Sequence, residues 1–160
     1  MKRDPNWPLP DALAGVTRAP PVGVAAAEWQ AAVARAVPDP AVGIRLARLG
    51  ERDGQALLVA AIPRQVGCHV HHHGVERYEV VRGAGLLLVG PVSKEAGKWQ
   101  VRAADWRSVQ VGEGDAFDIP GGVAHQLRNA GTEADLVILV QCPDSHLTSD
   151  RTLLPDGPAG

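Results

Sequence analysis

Four histidines, His69, His71, His72 and His73, lie within five residues, and an acidic residue, Glu76, follows closely. On a β-strand alternate side chains share a face. His69, His71 and His73 then point one way, and Val70 and His72 the other. Cα atoms two apart on a strand are about 6.6 Å apart, near enough for two imidazoles to reach one ion. Gly74 interrupts the run, and a bend there returns Glu76 to the same ion as an oxygen ligand. Neutral imidazole suits Zn, Fe, Ni and Cu, and a carboxylate extends the range to Mn. Two registers are open on spacing: His69 and His71 with Glu76, or His71 and His73 with Glu79. A solvated polar strand accounts well for one histidine, and less well for several on one face beside an acid.

A second segment, residues 114–129, reads GDAFDIPGGVAHQLRN. Together the two segments resemble the paired motifs of the cupin superfamily. The first motif has the form H-x-H, three or four residues, E, six residues, G. His69, His71, Glu76 and Gly83 stand at those spacings. The second has the form G, five residues, P-x-G, two residues, H, three residues, N. Gly114, Pro120, Gly122, His125 and Asn129 match it. One departure is Pro63, where the first motif usually opens with glycine. The resemblance covers about residues 42–142.

The resemblance implies an all-β fold: a small antiparallel β-barrel, the jelly-roll-like double-stranded β-helix. It also implies one divalent metal ion per chain (Fe, Mn, Zn or Ni), with His69, His71, Glu76 and His125 as ligands. It favours the first register, because Gly83 follows Glu76 at the family's spacing whereas Leu86 occupies the matching place after Glu79. His72 is then expected to face outward, and His73 to sit at the cavity mouth, beside the ligands or in solvent. Tyr78 shares parity with Glu76, so Tyr78 and His73 are the candidate catalytic groups. Gln126 and Arg128 have the opposite parity to His125 and are expected to face outward. Arg64 is a candidate carboxylate partner at the mouth, although an exposed arginine is commoner. Cys68 has the wrong parity for the metal and reads as a small buried residue. His146 is expected at the surface. Trp99 and Trp106 flank a polar connection and are expected to roof the cavity or meet a partner.

These side chains need a scaffold of short strands. Of the 160 residues, 18 are glycine and 13 proline, which points to many turns. Apolar or alternating runs predict strands over 44–49, 55–62, 69–73, 77–82, 84–89, 99–102, 108–111, 116–119, 125–128 and 136–141. Residues 25–37 are alanine-rich, with Trp29, Val33 and Val37 on one face, and predict one short helix ended by Pro38. Pro5, Pro8, Pro10, Pro20 and Pro21 make the beginning an extended arm, tied down where Trp7 or Leu9 docks. The organisation is an arm and helix over 1–41, a barrel over 42–142 and a surface-wrapping extension over 143–160.

Sixteen basic against 18 acidic residues give a formal charge of −2, which argues against nucleic acid as a partner. No apolar run is long enough to span a bilayer, and the start lacks the apolar stretch of a secretory signal. Two cysteines are too few for a disulfide scaffold. A cytoplasmic protein with reduced thiols is expected. A homodimer is expected too, because the Trp29–Val33–Val37 face and the arm need apolar area to cover them. The resemblance implies a metal-dependent enzyme acting on a small polar organic molecule: a dioxygenase or other oxygenase, a lyase or an isomerase. The alternative is a cupin that binds a metal or small molecule without catalysis. The motifs do not choose, because a fold does not fix a function.

Overall fold

Fifty-five to 62 and 136 to 142 are the two most apolar runs of the chain, and both are strands covered on two sides. In the computed structural model, which describes residues 13–159, the elements run β1 (Thr17–Arg18), α1 (Ala26–Ala34), β2 (Val37–Asp39), β3 (Ile44–Arg52), β4 (Gln55–Ile62), β5 (His69–Val70), β6 (Val75–Arg82) and β7 (Ala84–Pro91). They continue as β8 (Ser93–Glu95), β9 (Lys98–Gln100), β10 (Arg107–Gly112), β11 (Ala116–Pro120), β12 (Val123–Asn129), β13 (Leu136–Cys142) and β14 (Thr152–Leu153). Short 3₁₀ turns occupy Ala103–Asp105 and Asp144–Leu147. A seven-stranded sheet has the order β1-β11-β6-β13-β4-β3-β2, and a five-stranded sheet the order β10-β7-β12-β5-β14. All pairings are antiparallel. The two sheets pack on each other around a shared core, in the arrangement of a double-stranded β-helix.

The period of two explains the double coverage. Ala56, Leu58, Ala60 and Ile62 of β4, with Leu136, Ile138 and Val140 of β13, face the core between the sheets. Leu57 and Val59, with Val137 and Leu139, face the other way and meet Trp29 and Ala32 of α1. Strands buried on both faces read as continuous apolar runs rather than alternating ones. Burying a side chain of this size contributes roughly 1.5–3 kcal/mol.

Three expectations change here. The helix stops at Ala34 instead of reaching Val37, because the chain turns into β2 and pairs Val37 with Leu46. Trp29 is 6% exposed against the chain's own sheet, while Val37 is 63% exposed. The helix face therefore needs no second chain to cover it, and that argument for a homodimer falls away. The strand over 69–73 is only His69–Val70, because the backbone bends from His72 and takes a positive φ of 74° at Gly74. Trp7 and Leu9 lie outside the described residues. Residues 143–159 wrap the barrel and add β14, which pairs with β5. No described helix is long and apolar enough to cross a membrane.

Candidate metal centre

β5 and β12 are neighbours, and His69 is the direct partner of His125 across that pair. Their ring centroids are 4.3 Å apart. His71 follows two residues on and places its ring 4.9 Å from His69 and 5.5 Å from His125. The turn Pro120-Gly121-Gly122 docks on this segment, with Gly122 N–H donating to the His71 carbonyl at 2.8 Å. A Cβ at Gly121 would lie 2.8 Å from the His72 carbonyl oxygen, so this contact requires glycine. Glu76 re-enters on β6, opposite Ile119 of β11. The four side chains are 2–5% exposed, and one potential ligand atom from each lies within 4.8 Å of the others.

The hydrogen bonds orient the rings. His69 Nδ1 donates to the Gly67 carbonyl at 2.7 Å, His71 Nδ1 to the Asp150 carbonyl at 2.6 Å and His125 Nδ1 to the Val123 carbonyl at 3.1 Å. A carbonyl can only accept, so the proton sits on Nδ1 and the lone pair on Nε2. His71 Nε2 is 2.8 Å from Glu76 Oε2 and His125 Nε2 is 3.7 Å from Glu76 Oε1. His125 Nε2 is buried without a hydrogen-bond partner. Lone pairs and a carboxylate aimed at one point suit a divalent cation, and backbone carbonyls behind ligating imidazoles are the usual support. The residues present fit such an ion.

The electrostatics agree. Burial, then the neighbouring His125, pushes His69 down to about 3, so its ring is neutral near pH 7. Burial works to raise the Glu76 pKa, but the imidazoles of His125, His146 and His71 gathered around the carboxyl outweigh it and hold it well below its usual range. Tyr78 is 3% exposed, and burial, then the Glu76 charge, drives its phenol well above 10.0. It is therefore a neutral hydroxyl on a residue that lines the cavity.

Several sequence expectations are corrected. His146 is 2% exposed rather than at the surface. The turn after β13 lays its ring flat on His71, with centroids 3.9 Å apart and planes 1° apart. His146 Nδ1 is 3.2 Å from Glu76 Oε2, and Nε2 is 2.5 Å from the His73 carbonyl. Both partners are acceptors, which favours the imidazolium. Burial lowers the His146 pKa, the Glu76 hydrogen bond raises it, and the net shift is upward. Cys142 joins Glu76 and His146 in a second close group.

The His73 ring is exposed and lines an outer groove with His72, Trp99 and Asp150, away from the four converging side chains. His72 is half-buried, bonded through Nε2 to the Thr152 hydroxyl and in contact with Trp99. Glu79 points elsewhere and accepts from Gly23 N–H. Gln126 does face away from His125, but it is completely buried, because the C-terminal segment covers that face. It donates to Val66 O and Asp156 and accepts from Gly157 N–H. Arg128 likewise donates to the Gly157 and Pro158 carbonyls. Trp106 packs on Gly157. Arg64 is exposed and away from the cavity. Cys68 is buried, and burial, then Asp156, pushes its thiol up to about 12, so it is no nucleophile.

Asp150 also went unseen in the sequence. Its carboxylate accepts from the His72 and His73 N–H groups at 2.7 and 2.9 Å, while its carbonyl orients His71. No spacing rule links residues this far apart. The only available sign was the presence of titratable residues close after the last barrel strand.

A narrow cavity beside Glu76 holds about 50 Å³ of free volume. A buried water needs roughly 10–15 Å³ of such space, so a few waters or one small molecule fit. Apart from the inner polar groups, its walls are chiefly Ile44, Leu58, Ala60, Ile138, Val140 and Leu147, with Asp39 and Arg151 also lining it.

No protein-family model matches the chain, and no curated protein matches its sequence. Solved structures share the fold. An uncharacterized Klebsiella pneumoniae protein with a double-stranded beta-helix domain is similar at TM-score 0.53 and 17% identity, over 78% of this chain and 95% of that one. The capsular polysaccharide assembling protein CapF of Staphylococcus aureus gives TM-score 0.58 and 22% identity, over 75% of this chain and 32% of that one. The oxalate decarboxylase of Bacillus subtilis, described with Mn(II) centres, gives TM-score 0.51 and 17% identity, over 74% and 29%. The chain thus spans only about a third of the decarboxylase and CapF chains that it matches.

Proposed function

The chain has the cupin fold, and from that premise we propose that His69, His71, Glu76 and His125 hold one divalent ion and that the protein is a metal-dependent enzyme acting on a small organic molecule. The observation that carries this reading is the set of three Nδ1–carbonyl bonds that turn three Nε2 lone pairs toward one buried carboxylate. An ion with four protein ligands keeps open positions and would supply Lewis-acid or redox chemistry, in keeping with an oxygenase, lyase or isomerase. The residues around it have their own tasks. Tyr78, which lines the cavity, offers a neutral hydroxyl. His146 braces Glu76 and stacks on His71. The apolar walls exclude bulk water and suit a molecule that carries a hydrocarbon part beside its polar group.

A non-catalytic binding protein is the second reading, favoured by the narrowness and apolar walls of the cavity. Elemental analysis of wild type and His125→Ala, followed by turnover assays with and without oxygen on small carboxylates and diketones, tests both. One ion per wild-type chain, mostly lost in the variant, with turnover, is the expected result. Equal metal in both proteins overturns the ligand assignment. Metal and ligand binding without turnover favours the second reading.

A further inference from the structure

We propose that Arg151 is the recognition group for a carboxylate and that the molecule taken up beside Glu76 is a small aliphatic carboxylic acid. This rests on the reading of that cavity as the substrate chamber. Apart from Glu76 and the histidines, the charged residues lining the cavity are Asp39 and Arg151. They pair with each other at 2.9 Å, with side chains 21% and 22% exposed.

Asp39 engages the guanidinium through a single bond of 2.9 Å from Nη1, so an incoming carboxylate can take up the donors that remain or replace Asp39. The guanidinium is always charged, and its planar fork matches a carboxylate in two parallel hydrogen bonds. The walls provide no array of hydroxyls or amides for a sugar, and a single arginine is a poor match for a phosphate dianion. An acid held at Arg151 carries its hydrocarbon part among Ile44, Leu58, Ile138 and Val140. The backbone that carries Arg151 is tied to the centre, because the adjacent Asp150 carbonyl is bonded to His71.

Calorimetric titration of the full chain with isobutyrate, isobutyramide and inorganic phosphate tests the proposal, with the metal content of each sample measured in parallel. Isobutyrate is expected to bind at least about tenfold more tightly than the amide or phosphate. Arg151→Gln should erase that preference, and Asp39→Asn should keep or strengthen it. Arg151→Lys retains the charge without the fork, and an intermediate preference in it supports the proposal even if the glutamine variant misfolds. Equal binding of acid and amide, phosphate binding as tight as isobutyrate, or an undiminished preference in a folded Arg151→Gln overturns it. A metal-loaded wild type without acid preference sinks this inference and leaves the metal reading standing. Acid preference in a chain that never takes up metal does the reverse.

Discussion

The backbone carbonyl of Asp150 accepts a hydrogen bond from His71 Nδ1 at 2.6 Å, so a residue beyond the last barrel strand orients a side chain of the candidate metal centre. The Asp150 carboxylate fixes that carbonyl in place by accepting from the His72 and His73 amides. Asp150→Ala is therefore predicted to lower metal affinity by about 10–100-fold, the usual effect of losing such support. Competition against a chelator measures it. Unchanged affinity in a folded variant would show that the segment merely covers the barrel.

The two registers of the histidine run predict different damage. His69→Ala should cost far more metal affinity than His73→Ala, and Glu76→Gln more than Glu79→Gln. The His73 ring is exposed, and the Glu79 carboxylate is bonded to the Gly23 amide on the opposite face. Chelator titrations on the four variants decide the matter. If His73 and Glu79 prove the sensitive pair, the ligand set is wrong even though the fold stands.

Acid should destabilise the metal-free chain. His69 titrates near 6.5 when unfolded and at about 3 when folded. Below pH 6.5 the unfolded chain binds a proton that the folded chain refuses, so stability falls as the pH drops from 6.5 toward 3. The loss from His69 alone is about 2 kcal/mol between pH 7 and pH 5. Glu76, held below 4.5, acts in the same direction at lower pH. His146, raised above 6.5, acts oppositely, and its contribution fades as the pH rises through its folded value. Urea unfolding at a series of pH values, in chelator, should show a slope that is shallower in His69→Gln. A slope identical in the two proteins would contradict the burial argument.

Trp29→Ala tests the back of the seven-stranded sheet. Trp29 packs on Leu57, Val59, Val137 and Leu139, and the Arg82 guanidinium lies 5.1 Å from its ring centroid. Removing the ring should cost about 3–5 kcal/mol in urea unfolding. Metal content per folded chain and the mass from light scattering should stay as in wild type. A change of mass would mean that the helix face serves a second chain after all.

Much of this architecture was legible because it is local. The apolar run Gln55–Ile62 matches its strand at both ends, and the resemblance to the cupin motifs points to His69, His71, Glu76 and His125, which strand pairing then gathers. What stayed hidden depends on the chain folding back. His146 reaches Glu76 across 70 positions, and Asp150 reaches His71 across 79. Parity gives the face that Gln126 takes, but says nothing about whether another segment lies over that face. Val37 belongs to β2 and not to the helix, because a helical spacing of four continues by chance into the next strand.

β5 is only two residues long, yet it bears His69 and pairs with β12 directly opposite His125. An ion shared by these two histidines would act as a reversible clasp, joining two strands far apart in the sequence only while the chain is folded around it. Such a chain carries a stability set by the free metal concentration around it. Added metal should then raise the denaturant midpoint of the wild type and leave that of His125→Ala nearly where it was, and a midpoint indifferent to metal would mean that the clasp does not form.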